Sequence, residues 1–182
     1  MLSPMVDIDV GLHRLDVVRV PFAPMGHDRQ RVIFVCTHNG ARSQMAEGML
    51  RTWGGDRFQA FSAGTEATRV RPEAIAVMNE IGIDISGHVS KTLDPLLGQE
   101  FSWLITVCDD AKESCPTIPG AAKQAHWSID DPSAVEGDEG ARLSAFREAR
   151  DILRDRIHIF ILAAGRDDLP HPEPQRVGPA SD

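Results

Sequence analysis

No apolar run in the 182-residue chain approaches the roughly 20 residues that a helix needs to cross a bilayer. The N-terminal stretch MLSPMVDIDVGLHRLDVV lacks the basic start and unbroken apolar centre of a secretory signal, so a cytoplasmic location is expected. An excess of cations is missing too. The formal net charge is −8, which argues against nucleic acid or an anionic membrane as partner. An anion-binding site must then be made locally, from backbone dipoles and one or two cations. Cysteine is scarce and odd in number: Cys36, Cys108 and Cys115 do not suit a secreted disulfide framework. In a reducing compartment they point to catalysis, redox chemistry or a metal. Zinc needs about four ligands, and no second close pair stands near Cys108 and Cys115, so neither metal nor cofactor is expected. The length suits one well-buried core and is short for two domains.

What is present centres on Arg31 to Gly48, RVIFVCTHNGARSQMAEG. Val32 to Val35 form a short β-branched and aromatic run, as in a strand covered on both faces. Cys36 ends it, Thr37-His38-Asn39-Gly40-Ala41 follow, and Gln44, Met45, Ala46 and Glu47 are helix formers. Ser43 is therefore expected at the N-cap. A loop entering a helix collects unpaired N–H groups and the positive end of the helix dipole. Such a loop, from Thr37 through Ser43, binds a tetrahedral oxyanion. Arg42 closes it with a planar, always-charged fork, and the same field favours Cys36 as a thiolate nucleophile.

Along the chain, residues 1–29 carry no sustained period and are interrupted by Pro4, Pro21 and Pro24. A mostly disordered extension is expected, with an added edge strand as the alternative and Met25 as a possible start. A helix from Ser43 to about Trp53 leads to a turn at Gly54-Gly55-Asp56 and a second strand from Arg57 to Ser62. Pro72 opens a helix that Gly82 ends. Trp103 to Val107 is a third strand delivering Cys108, and Lys123 to Ile129 a fourth, followed by Asp130-Asp131-Pro132. Leu143, Phe146, Leu153, Ile157 and Phe160 share one face of a last helix, about 140–164. The proline-rich tail 165–182 is expected to be disordered.

Strands alternating with helices indicate an α/β fold with a four-stranded parallel sheet, helices flanking it in three layers. Ligands of such sheets bind beyond the carboxyl ends of the strands. Cys36, Cys108 and Asp131 each follow a strand, so all three converge on that edge.

FVCTHNGARSQMAEG, TVCDDAKESCP and HWSIDDP together resemble the thioredoxin-coupled arsenate reductases built on the low-molecular-weight phosphotyrosine phosphatase fold. The resemblance covers about residues 30–164. It implies that arsenate, with phosphate or sulfate able to occupy the same loop, is held by the loop N–H groups and Arg42. It further implies attack by Cys36, protonation by Asp131 rather than Asp130, a Cys36–Cys108 disulfide, and then a Cys108–Cys115 disulfide reduced by thioredoxin. The protein would act as a monomer.

The resemblance gives Asn39 and Ser43 the task of shaping the loop and hydrogen-bonding the thiolate. It also brings a potassium site, for which Asn39, Glu47 and Ser62 match but Lys91 replaces an aspartate; an ammonium there implies no potassium dependence. His38 stands where glycine is common, either tuning the anion site or facing solvent. Gly40 and Ala41 depart from common family residues where backbone does the binding. His126 and Trp127 are expected in the core. If residues 109–114 were helical, Cys108 and Cys115 would lie on the order of 10 Å apart, beyond the roughly 7 Å a disulfide spans. Oxidation is therefore expected to disorder that segment. Two alternatives remain. One is a phosphatase using Cys36, Arg42 and Asp131 alone, disfavoured by the lack of an aromatic after Pro132 and of any tyrosine. The other is recycling by a small thiol and a glutaredoxin-like partner.

Overall fold

The computed structural model describes residues 29–109 and 121–164. The expectations for the two tails and for Cys115 with its surrounding segment lie outside the described residues.

Strand β1 (Gln30–Cys36) pairs in parallel with β2 (Phe58–Gly64) on one side and β3 (Phe101–Thr106) on the other. Strand β4 (Ala121–His126) joins β3 in parallel, giving the order β2-β1-β3-β4. Val32 to Cys36 are all buried. Alternation sends Val32 and Phe34 into the larger core and Ile33 and Val35 into a smaller one on the opposite face, which is why the run reads as unbroken apolar.

Helices α1 (Arg42–Trp53), α2 (Pro72–Asn79) and α3 (Glu139–Ala164) pack on the larger core. Met45, Met49, Val77, Met78, Phe146 and Leu153 supply its centre, fully or nearly fully buried. On the other face the 3₁₀ turn Asp94–Leu96 brings Leu96, and its neighbour Leu93, onto Ile33, Val35 and Leu104. The expected α/β sheet is present, with element boundaries moved, most in the last two strands. The third and fourth strands run earlier than the sequence pattern suggests, because pairing starts at Phe101 with Ala121 and not with the most apolar residues. His126 is not in the core as expected. It is exposed on the thinly covered face of an edge strand, its Nδ1 2.6 Å from Thr106 Oγ1. Trp127, on the other face, packs its ring 5.9 Å from Phe34. Among the described residues, no helix is long and apolar enough to cross a membrane.

Candidate active site

The loop between β1 and α1 is held by its carbonyls. Cys36 O accepts from Thr65 N–H (3.3 Å), Thr37 O from Glu66 N–H (2.8 Å), and Gly40 O from Arg71 N–H (2.8 Å). His38 O accepts from the Thr68 and Ser90 hydroxyls at 3.2 and 3.1 Å, Asn39 O from Gln44 Nε2 at 3.2 Å, and Ala41 O from Met45 N–H at 2.9 Å. The carbonyls from 36 to 41 are thus all tied into the scaffold, which holds the loop in shape at the cavity and at the start of α1. A loop held this way at a helix N-terminus suits an oxyanion.

Asn39 sets the bend. Among the described residues it is the one non-glycine with positive φ, at 45°, a left-handed conformation that asparagine tolerates. Its fully buried amide donates to Ser43 Oγ and Ser62 Oγ, both at 2.9 Å. Its Oδ1 accepts from Gln44 Nε2 (2.8 Å) and Lys91 N–H (2.9 Å). Ser43 is not the N-cap expected from its residue type: α1 begins at Arg42, and Ala41 occupies the capping position without a side-chain bond. Ser43 Oγ is instead 2.9 Å from Cys36 Sγ, free of a capping role and placed to hydrogen-bond the sulfur.

Cys36, His38, Gly40, Ala41, Arg42 and Asp131 line one cavity of about 400 Å³. Arg42, 2 % exposed, donates from one nitrogen to Ile129 O at 2.9 Å, and the other lies 3.5 Å from Asp131 Oδ2. Asp131 Oδ1 accepts from Ser133 N–H at 3.0 Å, where Pro132 starts a 3₁₀ turn. The carboxylate is thus oriented by the turn after it, while Asp130 is absent from the lining. Cys108 is buried, its Sγ 3.8 Å from the carbonyl of Val35, the residue before Cys36. His38 stands half-exposed on the rim, Nε2 3.7 Å from Glu66 Oε2.

Below the loop lies a polar cluster. Ser62 Oγ donates to Glu47 Oε2 at 2.5 Å, Lys91 Nζ is 3.6 Å from the same oxygen, and Arg51 pairs with Oε1. Lys91 therefore brings its ammonium beside the carboxylate that the resemblance assigns to potassium. His88 Nδ1 lies 2.9 Å from Gln44 Oε1, so Nδ1 carries the proton in the neutral ring. Burial pushes the His88 imidazole below its usual range; Arg51 and Lys91 add to this and Glu47 opposes it.

Several residues here were not visible in the sequence. Gly64 reads there only as the end of a strand, yet a Cβ on it would stand 2.4 Å from Glu66 O and 2.7 Å from Thr37 O. Glu66, Thr68 and Arg71 line the cavity from the β2–α2 connection. The usable signal was Gly64 at the end of a strand next to β1, since a parallel neighbour brings the following loop to the same edge.

Residues 31–168 match the model of the low molecular weight phosphotyrosine protein phosphatase family. An arsenate reductase of Halalkalibacterium halodurans is 41 % identical over 133 residues, 73 % of this chain and 96 % of that protein. One of Bacillus subtilis is 38 % identical, covering 71 % and 93 %. A solved arsenate reductase in its phosphate-binding state superposes with a TM-score of 0.62 at 32 % identity, covering 74 % of this chain and 98 % of that one. A match across most of the chain, together with relatives at this identity, makes it a member of the low-molecular-weight phosphotyrosine protein phosphatase family.

Proposed function

We propose that the protein reduces arsenate to arsenite through Cys36, Cys108 and Cys115, with thioredoxin restoring the thiols. The observation that carries this reading is Cys108, fully buried with its sulfur 3.8 Å from the carbonyl of Val35, the residue before the Cys36 that lines a cavity with Arg42 and Asp131. A hydrolase working through a cysteinyl-phosphate has no use for a second thiol there. The curated relatives named arsenate reductase support the same substrate.

In this mechanism arsenate sits on the loop N–H edge, its charge met by Arg42. The Cys36 thiolate attacks arsenic, and Asp131 protonates the departing oxygen, which leaves as water. The Cys108 thiolate then attacks Cys36 sulfur. The sulfur–arsenic bond breaks with its electron pair going to arsenic, which leaves as arsenite, and a Cys36–Cys108 disulfide remains. Cys115 attacks Cys108, freeing Cys36, and thioredoxin reduces the resulting disulfide. Ser43 holds the Cys36 sulfur during attack and departure.

Arsenate-dependent NADPH consumption with thioredoxin and its reductase tests the relay. Turnover is expected from wild type and none from Cys36→Ser. Cys108→Ser and Cys115→Ser should stop after at most one turnover, and full turnover by either sinks the relay. Asp131→Asn should lower kcat by about 10²-fold. Hydrolysis of para-nitrophenyl phosphate without any arsenate reduction would transfer the site to phosphoester chemistry.

A further inference from the structure

Arg42 is buried and already committed to Ile129 and Asp131. The cavity wall carries one more permanently charged cation, Arg71, together with the imidazole of His38 and two carboxylates, Asp131 and Glu66. Asp131 lies 3.5 Å from Arg42, and Glu66 lies 3.7 Å from His38. Asp131 is thus engaged by Arg42 and Glu66 faces His38, while among the described residues Arg71 forms no ion pair with either carboxylate.

Its position is fixed by backbone. Arg71 is the residue before α2, its N–H donates to Gly40 O at 2.8 Å, and Pro72 sets the helix start. Its Cγ lies 3.8 Å from where a Cβ on Gly40 would stand, so the side chain leaves the backbone directly over the loop. Its exposed position keeps the guanidinium in solvent, in the path of an entering anion.

From this geometry we infer that Arg71 is a positioning residue for oxyanion capture, drawing arsenate or phosphate into the loop before Arg42 takes it. The inference rests on the reductase reading for its substrate. Its physical basis is more general: with a net charge of −8, the protein as a whole repels a dianion, and a guanidinium at the cavity mouth that is not held in an ion pair attracts one locally. Arg71 touches no reacting bond, so it acts on capture and leaves the chemical step alone.

The test compares wild type with Arg71→Gln, Arg71→Glu and Arg71→Lys in the full chain. The backbone N–H to Gly40 survives in all three, so thermal unfolding should be unchanged. In Arg71→Gln, kcat/KM for arsenate should fall about five- to tenfold at low salt with kcat within about twofold, and more in Arg71→Glu. The gap should close as added salt shortens the screening length to well under about 10 Å, and Arg71→Lys should recover most of the loss.

A second readout is independent of reduction. Cys36 alkylation, followed on its own peptide by mass spectrometry, is measured with anionic iodoacetate, with neutral iodoacetamide, and with phosphate as protectant. The iodoacetate to iodoacetamide rate ratio should drop in Arg71→Gln, and more phosphate should be needed for protection. An unchanged ratio and unchanged protection, alongside normal wild-type reduction, overturn the assignment of Arg71. Arg71-dependent protection in a wild type that does not reduce arsenate supports the assignment and sinks the reductase reading.

Discussion

At the scale of single residues, the site depends on close approaches that tolerate no extra atom. Gly64 ends β2 where the loops after β1 and β2 meet. A methyl there would press on three backbone atoms: Glu66 O at 2.4 Å, Thr37 O at 2.7 Å and Asn39 N at 2.8 Å. Backbone cannot swing aside as a side chain can, so the loop itself must shift. Gly64→Ala should cost about 1–3 kcal/mol by denaturant unfolding and reduce turnover at least about tenfold through the displaced loop. Gly87→Ala, with open space around its Cβ, is the matching control and should do neither. Lys91 gives a second test. Its ammonium, 3.6 Å from Glu47, supplies a positive charge beneath Asn39 without an ion. Wild type should melt at the same temperature, and turn over at the same rate, in potassium and sodium chloride of equal ionic strength. Lys91→Asp, which leaves Glu47 facing a second carboxylate, should lose stability in sodium and regain part of it in potassium. A clear potassium stimulation of wild type would refute the substitution of ion by ammonium.

Among the elements, the α2–α3 contact shows what the sequence could and could not convey. Glu80, at the end of α2, accepts from Arg147 and from Arg150 of α3. The Arg147 hydrogen bonds first, and those of Arg150 next, hold its carboxyl at about 2 against an ordinary 4.5. Above about pH 4.5 the carboxylate is charged in both folded and unfolded chains and the clamp is fully present. As pH falls from there toward 2, the unfolded chain takes the proton first, and the contribution drains away. Glu80→Gln should therefore lower the denaturant midpoint at about pH 7 and have a much smaller effect at about pH 3. An equal effect at both would mean that the pair adds nothing through charge. No local pattern announces this clamp, because its partners are 67 and 70 residues apart. By contrast β1 and the loop that follows it were legible, since burial on both faces leaves an apolar run and a loop between strand and helix leaves Cys36 and Arg42 at fixed spacing. Ser43 misled because serine is a good cap in isolation, whereas Asn39 and Cys36 claim its hydroxyl in the folded chain. His126 misled because β4 lies at the sheet edge, a fact of strand order that period alone does not carry.

For the whole molecule, the parallel sheet gathers every strand's carboxyl end at one edge, and two opposed demands meet there. The oxyanion loop has to be rigid, and its tied carbonyls and buried Asn39 make it so. The relay proposed above has to move. Cys108 is fully buried, and the chain around it is stitched down by Val107 N–H to Val35 O (2.8 Å), Trp127 N–H to Thr106 O (2.8 Å) and Ile129 N–H to Cys108 O (3.2 Å). A sulfur held there, beside the carbonyl of the residue before Cys36, cannot offer a disulfide to an external thiol. These three bonds are outside the oxyanion loop and join β3 to β1 and to the segment after β4, so they can open without dismantling the nest. Local openings of this size are normal in folded chains and are read by amide exchange. Treating the reduced protein with stoichiometric arsenate should speed exchange at Val107, Trp127 and Ile129 and leave Met45 and Met49 in α1 protected. Cys36→Ser, which cannot begin the relay, should show no change at any of them. Equal protection of Val107, Trp127 and Ile129 before and after oxidation would mean that Cys108 passes its disulfide on without leaving the core, and the relay would need another route out.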